Sequence, residues 1–250
     1  MNETRFNGIG DIYAKYRPSY PQTFIEYLYS DVGISKDSII ADIGSGTGIL
    51  TKQLLEAGSK VMAVEPNDDM RIVAEADLKN FEKFISINAT AENTKIYDNT
   101  IDFITVARAF HWFDQTIFKK ECGRILKQNG KIIIVFDAPD ASVGIAKEDD
   151  EINRKYCPNF KVSYSSTSRF LENDIDNFFT DEYETKIFQN DKIYDLDGFI
   201  GRNLSRSAAL KKDEANYPAY IAELTASFNK HAVNGKVIMP NFTKSFTGTV

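Results

Sequence analysis

Residues 42–48 read Asp-Ile-Gly-Ser-Gly-Thr-Gly and could form a binding site for a nucleotide-type ligand. They follow a short apolar stretch and precede a segment whose apolar residues recur at helical spacing. Glycines at this junction let the chain turn tightly out of a strand and let a ligand approach the backbone amides. Glu65 ends the next predicted strand about 20 residues on, where a carboxylate can bind both hydroxyls of a ribose. The pattern predicts a ligand cleft at the carboxyl edge of a parallel sheet.

Two kinds of cofactor fit this plan, and two features of the turn separate them. A dinucleotide site reads GxGxxG, but here the third glycine, Gly48, comes one position early and Ile49 takes the expected place. Asp42 adds a negative charge that would repel a pyrophosphate but attract the ammonium and sulfonium of S-adenosylmethionine (SAM). The local chemistry therefore favours SAM, and an NAD-dependent oxidoreductase is the alternative.

The elements that must position this turn alternate between strands and helices. Apolar runs predict strands at 38–43, 60–64, 84–87, 101–106 and 131–136, with helices between them. Asn67 and Asp114 are placed to cap two of these helices. The alternation predicts parallel βαβ units, and hence a Rossmann-like, doubly wound α/β sheet.

The remaining segments are predicted to surround this sheet within a single domain, residues 1–250. Residues 1–30 read as N-terminal lid helices, and residues 140–181 as a helical or irregular cap insertion on the substrate side. Residues 183–193 alternate as a strand does, and residues 237–250 read as a last strand pair or an edge strand.

The amino-acid composition indicates which kinds of ligand and partner the protein can bind. The net charge is −6, without the dense basic stripe that nucleic-acid binding needs, so a small-molecule substrate is favoured. Cys122 and Cys157 form no CxxC pair, so no metal site is predicted. No apolar segment is long enough to span a membrane, and the N-terminal residues lack a signal-peptide pattern. We therefore expect a cytoplasmic protein with no membrane partner, either a monomer or a homodimer.

Four motifs together resemble a class I SAM-dependent methyltransferase in order and spacing: DIGSGTG, VEPNDDM, NATAEN and IDFITVARAFHWF. YAKYRPSYP before the glycine turn and AFHWF after the fourth strand look like the small-molecule branch that includes trans-aconitate methyltransferase. The resemblance covers about residues 10 to 136. It implies a seven-stranded sheet of order 3-2-1-4-5-7-6 with the last strand antiparallel.

The resemblance also implies cofactor-binding residues in four loops. They are Gly44, Ser45 and Gly46 in the glycine turn, Glu65, Pro66 and Asn67 after the second strand, Thr90 and Ala91 in NATAEN, and Ala107 and Arg108 after the fourth strand. Glu65 would hold the ribose, Ala91 would meet the adenine through its backbone, and Arg108 would lie under the sulfonium end with Ala107. Thr90 stands where many relatives have Asp, which accepts from the adenine amino group more strongly than Thr can.

Two further candidates for cofactor binding come from the N-terminal segment. Tyr13 and Arg17 could form part of a lid over the methionine end, with Arg17 or a tyrosine reaching the cofactor carboxylate. The alternative is a helix packed on the sheet with a solvated arginine.

Candidates for the acceptor side lie after the fourth strand and near residue 200. His111 could act as a general base at neutral pH, or it could pack with Trp112 and its aromatic neighbours as a wall of the substrate pocket; the wall is favoured. Arg202 and Arg206 are one helical turn apart and could clamp an anionic substrate, or they could be a plain surface pair.

The predicted reaction is transfer of the SAM methyl group to a small molecule by in-line displacement. No Asp-Pro-Pro-Tyr or Asn-Pro-Pro-Tyr follows the fourth strand, which disfavours amide and base amino groups as acceptors. A carboxylate acceptor is attractive because it needs cations to hold it but no base. The remaining alternative is a SAM-binding regulatory protein without catalysis.

Overall fold

A central sheet organises the described part of the chain. This computed structural model describes residues 10–142, 144–158, 160, 169–206 and 208–250, without the side chains of residues 11–13 and 169–172. Its strands are β1 (Ile39–Ile43), β2 (Lys60–Val64), β3 (Phe84–Ile87), β4 (Ile101–Ala107), β5 (Leu126–Pro139), β6 (Glu184–Gln189), β7 (Lys192–Tyr194), β8 (Val237–Met239) and β9 (Asn241–Gly248). Its α-helices are α1 (Gly10–Tyr16), α2 (Gln22–Tyr27), α3 (Ile49–Glu56), α4 (Asp68–Leu78), α5 (Gln115–Ile125), α6 (Gly144–Tyr156), α7 (Arg169–Phe178), α8 (Leu196–Leu204) and α9 (Tyr217–His231).

Seven strands form the main sheet, in the order β3-β2-β1-β4-β5-β9-β6. The pairs among β1 to β5 are parallel, whereas β9 is antiparallel to both β5 and β6. Because β9 is the seventh strand of this sheet in chain order, the predicted order 3-2-1-4-5-7-6 with an antiparallel last strand is confirmed. The sheet is therefore Rossmann-like, with helices on both faces.

The last strand differs in position from the edge strand that residues 237–250 suggested. β9 lies between β5 and β6, and β6 forms the edge. The predicted strand at 183–193 also divides, because the chain turns at Asn190, whose N–H donates to the Asn241 carbonyl at 2.8 Å. β7 then leaves the sheet and pairs with β8 in a separate two-stranded ribbon.

Helix ends beside the sheet are set by local side-chain caps. Asn67 accepts a hydrogen bond from the Met70 N–H at 3.0 Å and begins α4, and Asp114 accepts one from the Ile117 N–H at 3.0 Å and begins α5. Both caps were predicted from the sequence. They satisfy backbone donors that a helix start leaves unpaired, and they fix where each helix leaves its strand.

The cap is built from two separate parts of the chain rather than from residues 140–181 alone. Helix α6 packs with α8, α9 and the β7–β8 ribbon around a shared apolar cluster that includes Ile145, Phe199, Tyr220 and Phe228. Helix α7 instead contributes Ile175 and other apolar residues to the core of the main sheet. In the described residues no helix is long and apolar enough to cross a membrane.

A buried charge cluster joins the helices of this cap. The Asp149 carboxylate on α6 accepts hydrogen bonds from Arg202 at 2.9 Å and from Arg206 at 2.8 Å. Burial alone would raise the pKa of Asp149, but the two guanidinium charges outweigh burial and hold the pKa below its usual range. Removing one partner of a buried ion pair leaves charge without compensation, so this carboxylate should matter for stability.

We expect Asp149→Asn to lower the free energy of unfolding by about 3–5 kcal/mol, because two buried guanidinium groups lose their counter-charge. The matched control is Asp77→Asn on α4, which breaks the exposed pair with Lys52. That change should cost about 0.5 kcal/mol. Urea unfolding followed by circular dichroism measures both variants, and equal losses would contradict the assignment.

Candidate ligand cleft

A cleft of about 310 Å³ opens at the carboxyl ends of β1, β2 and β4. Twelve residues predicted for the site line it: Asp42, Gly44, Ser45, Gly46, Glu65, Pro66, Asn67, Thr90, Ala91, Ala107, Arg108 and Trp112. They come from four loops that are far apart in sequence. Parallel strands bring them together because their carboxyl ends meet at one edge of the sheet.

Two glycines of the turn are required for different reasons. Gly44 has φ +67°, and a Cβ on it would meet the Ala109 Cβ at 2.5 Å, so the close approach of the β4 exit excludes a side chain there. Gly46 has φ +56°, yet a Cβ on it would meet no heavy atom within 4 Å. The space beside Gly46 is open, and a ligand can approach its backbone there.

Glu65 braces the glycine turn from the end of β2. Its Oε2 accepts a hydrogen bond from the Gly46 N–H at 2.9 Å, and its Oε1 accepts one from the Asn67 N–H at 2.9 Å. Burial raises the pKa of Glu65, while these two hydrogen bonds partly oppose the shift. Each carboxylate oxygen keeps a second acceptor position, so the side chain can also accept from two neighbouring hydroxyls.

Asp42 is held by two hydroxyl groups beneath the cleft. Thr51 donates to its Oδ2 at 2.6 Å and Thr105 donates to its Oδ1 at 2.7 Å. Burial raises its pKa, and the threonine hydrogen bonds oppose that effect. The carboxylate thus links β1, α3 and β4, a structural role that sequence reasoning did not assign to it.

Thr47 lines the cleft but was missed from the sequence, where it looked like a spacer between glycines. The residue is 6% exposed, and its hydroxyl has no hydrogen-bond partner among the described residues. Buried hydroxyls without a partner are rare and call for a reason. Its position in the glycine turn was the one available sequence signal.

The sequence also did not identify the residues that form the N-terminal wall of the cleft. Pro18 and Tyr20 line the cleft. The Gln53 side chain accepts from the Tyr20 N–H at 3.0 Å and donates to the Tyr20 carbonyl at 2.9 Å, and Lys192 Nζ donates to the Ser19 carbonyl at 2.9 Å. These tethers join residues far apart in sequence, so no local pattern could have revealed them.

Three predicted site residues, all arginines, have surroundings other than the cleft. Arg17 does not line the cleft; it donates to the Ser205 hydroxyl on the cap at 2.9 Å. The predicted clamp of Arg202 and Arg206 needs correction, because both guanidinium groups bind buried Asp149. Tyr13 falls in helix α1, and its side chain lies outside the described residues.

Arg108 lies at the exit of β4, on the cleft. Its backbone has φ +60°, which is unusual for a residue other than glycine, and its N–H donates to the Val135 carbonyl at 2.9 Å. Its guanidinium Nη1 is 3.9 Å from Asp137 Oδ2. The cation is thus part of the cleft surface and has a carboxylate behind it.

The aromatic stretch after β4 forms a wall. Trp112 and Phe113 line the cleft, while Phe110 is buried and packs edge-on against Phe178 with ring centroids 4.8 Å apart. His111 does not line the cleft; its ring centroid is 4.4 Å from that of Trp112. Burial and then the positive charge of Arg108 lower the pKa of His111 to about 4. The geometry favours the wall role for His111 over the general base.

Curated relatives are similar in sequence to the part of the chain that forms the cleft. Residues 41–134 match the family model described as a methyltransferase domain. An uncharacterized methyltransferase of Mycobacterium bovis is 34% identical over 140 residues, which is 56% of this chain and 55% of that protein. The chain thus spans about half the length of the first curated relatives that it matches. An uncharacterized methyltransferase of Bacillus cereus is 31% identical over 164 residues, covering 58% of this chain and 76% of that one.

Solved structures share the fold at low sequence identity. A putative type II methyltransferase from Anaeromyxobacter dehalogenans has a TM-score of 0.69 and 19% identity, covering 94% of this chain and 98% of that chain. Phosphoethanolamine N-methyltransferase 2 from Haemonchus contortus, in complex with SAM, has a TM-score of 0.54 and 15% identity. The match covers 96% of this chain and 55% of that chain. The chain belongs to the methyltransferase family, as the match of residues 41–134 and the Bacillus cereus relative show.

Thr47 in the glycine turn and Thr51 in α3 allow a matched test of stability. We expect Thr51→Val to lower the free energy of unfolding by about 1–3 kcal/mol, because Asp42 loses a buried donor. Thr47→Val should not lower it, because its hydroxyl has no partner among the described residues and an unpaired buried hydroxyl costs free energy. Chemical denaturation of both variants tests this, and a large loss in Thr47→Val would show that its hydroxyl has a structural partner.

The lowered pKa of His111 predicts a pH dependence of stability. Between about pH 6.5 and pH 4 the unfolded chain binds a proton on this histidine that the folded protein does not bind. The free energy of unfolding should therefore fall as the pH decreases across this window, and His111→Phe should remove that part of the slope. Urea unfolding at several pH values measures the difference between the two proteins; parallel curves would contradict a buried neutral imidazole.

Proposed function

We propose that the protein transfers the methyl group of SAM to a small-molecule acceptor. The observation that carries the proposal is the cleft beside Gly46, whose backbone is braced by Glu65 at the carboxyl edge of a methyltransferase-family sheet. The residues fit the cofactor on physical grounds. Gly46 leaves open space beside its backbone, and Glu65 keeps acceptor positions for hydroxyl donors. The Thr47 hydroxyl has no partner within the part of the chain that the structure describes.

Each part of the cleft has a role in this proposal. Glu65 binds the ribose hydroxyls, the backbone at Ala91 binds the adenine, and Gly44 to Gly46 pass along the methionine part. SAM supplies a methyl group on a sulfonium, which is already a good leaving group. The protein then has mainly to hold the acceptor in line with that methyl group and to exclude water. Trp112 and Phe113 supply apolar surface for this purpose.

The surrounding segments are proposed to enclose the acceptor. Pro18 and Tyr20 form one wall. Lys192 and Ser205 of the cap bind the neighbouring residues Ser19 and Arg17. Among the described residues, this supports the assignment of the predicted lid, residues 1–30, and of the cap, in part residues 140–181, as the substrate side of a single domain. Residues 1–9, 143, 159 and 161–168 lie outside the described part. The motifs YAKYRPSYP and AFHWF support the small-molecule branch of the family. A carboxylate fits this cleft because it needs no base and His111 lies off the cleft surface.

We expect SAM and S-adenosylhomocysteine to bind at micromolar concentrations, measured by calorimetry. Glu65→Ala should weaken binding of both at least about tenfold, because ribose acceptors and the brace on Gly46 are lost together. Gly46→Val should abolish binding, since its side chain would occupy the open space. Glu75→Ala, which removes an exposed carboxylate of α4, is the control and should bind as the unchanged protein does.

Two results would overturn the proposal in different ways. Absence of SAM binding, with tight NAD binding in a parallel titration, would rule out the cofactor. SAM binding without release of S-adenosylhomocysteine across a broad acceptor panel would instead support a SAM-binding regulatory protein. Turnover of His111→Ala separates the roles of that residue. A collapse with unchanged SAM affinity supports a base, and a modest loss supports a wall.

A further inference from the structure

Among the described residues, three carboxylates line the cleft, those of Asp42, Glu65 and Glu92. Asp42 is 1% exposed and Glu65 is 9% exposed, and both already accept hydrogen bonds from the protein. Glu92 differs from them because it is exposed. Of the three carboxylates, that of Glu92 is therefore the one that a ligand in the cleft can reach most readily.

Glu92 belongs to a tight turn formed by residues 90–93. The Asn93 N–H donates to the Thr90 carbonyl at 3.3 Å and closes the turn, which leaves Ala91 and Glu92 at its corner. Thr90, Ala91 and Glu92 all line the cleft. Since the side chain of Ala91 is a single methyl group, the turn brings two polar side chains to this wall of the cleft, those of Thr90 and Glu92.

Hydrogen bonds at two points fix the turn to α5 and its N-cap. Glu92 Oε1 accepts from the Asp114 N–H at 2.9 Å, next to the start of the helix. Directly after the turn, Glu121 Oε1 accepts from the Thr94 N–H at 2.8 Å and from its hydroxyl at 2.6 Å. A carboxylate offers about four acceptor positions, so the bond to Asp114 leaves room on Glu92 for a donor of the ligand. A side chain that is already held in place also loses less entropy when it binds.

The two polar side chains of the turn differ in what they can recognise. The Thr90 hydroxyl can donate or accept, so it pairs with an amino group and with a carbonyl oxygen alike. An ionised carboxylate only accepts, so Glu92 binds an amino group and repels a carbonyl oxygen. Glu92 can therefore distinguish a base that carries an amino group from one that carries a carbonyl group, whereas Thr90 cannot.

We infer that Glu92 accepts a hydrogen bond from the exocyclic amino group of the cofactor's adenine and so makes the cleft selective for adenine. The inference rests on the proposed function, in which the backbone at Ala91 binds the adenine. Glu92 is the next residue of the same turn, and adenine presents an amino donor that hypoxanthine lacks. A hydrogen bond to a carboxylate is about twice as strong as one between neutral groups. Glu92 thus supplies the acceptor that the hydroxyl of Thr90 provides only weakly.

Calorimetry with S-adenosylhomocysteine and S-inosylhomocysteine tests the inference, since hypoxanthine has a carbonyl oxygen where adenine has the amino group. Glu92→Gln should reduce the preference for S-adenosylhomocysteine at least about tenfold. The affinity for S-inosylhomocysteine should rise in this variant, because an amide can donate to the carbonyl oxygen. The backbone at Ala91 is common to both proteins, so the change in preference reports the side chain alone.

Three further variants complete the experiment. Thr90→Val should keep the preference, whatever it does to the affinity for both ligands. Thr90→Asp added to Glu92→Gln should restore part of the preference, because a side chain that only accepts returns to the same turn. Glu56→Gln, which changes an exposed carboxylate at the end of α3, is the matched control and should alter neither affinity.

Several results would overturn the role of Glu92 while leaving SAM binding intact. Equal affinity of the unchanged protein for the two ligands is one, and a preference that survives in Glu92→Gln is another. Equal weakening of both ligands in Glu92→Gln would mean that Glu92 only holds the turn against Asp114. Loss of the preference in Thr90→Val would assign the selectivity to Thr90 instead. Failure of the unchanged protein to bind S-adenosylhomocysteine at all removes the proposed function itself.

Discussion

The hydrogen bond from the Gly46 N–H to the Glu65 carboxylate joins the two loops on which the cleft depends. It fixes a left-handed glycine turn against the end of β2, and through the Asn67 N–H the same carboxylate also sets the start of α4. The Asp42 carboxylate beneath the cleft likewise joins three elements: it accepts hydrogen bonds from two threonine hydroxyls and so links β1, β4 and α3. Both carboxylates are buried, and each is stabilised by the donors that it organises. The loops that line the cleft are therefore already joined by hydrogen bonds, and such preorganisation reduces the ordering cost of binding a ligand.

Local sequence pattern predicted those parts of the fold whose causes are local. β2 and β3 have the predicted bounds because short apolar runs are interrupted by polar residues at both ends. The caps at Asn67 and Asp114 follow from side chains that reach backbone donors three residues away. The insertion of β9 between β5 and β6 has no such local cause. The order of the sheet came from resemblance to a family. The pattern alone left two readings for residues 237–250, a last strand pair or an edge strand, and the edge reading was wrong.

The residues of the candidate site also differ in whether the sequence alone could identify them. Residues that follow β1, β2 and β4 were identifiable because strand ends in a parallel sheet converge. Arg202 and Arg206 show the limit of spacing arguments. Being one helical turn apart, they share a face, but only the folded chain shows that this face meets Asp149, more than 50 residues earlier in sequence. Thr47 shows the opposite limit, since only the folded chain shows that its hydroxyl has no partner among the described residues.

The cap and the cleft are coupled through cations rather than through a shared apolar core. Arg17 reaches Ser205 and Lys192 reaches Ser19, so the wall at Pro18 and Tyr20 is held by the same layer that encloses the Asp149 cluster. Arg108 lies at the junction, and its charge acts on both His111 and Lys192. The lowered pKa of His111 keeps its imidazole neutral beside the Arg108 cation. An aromatic wall without charge thus adjoins a positively charged residue at the exit of β4.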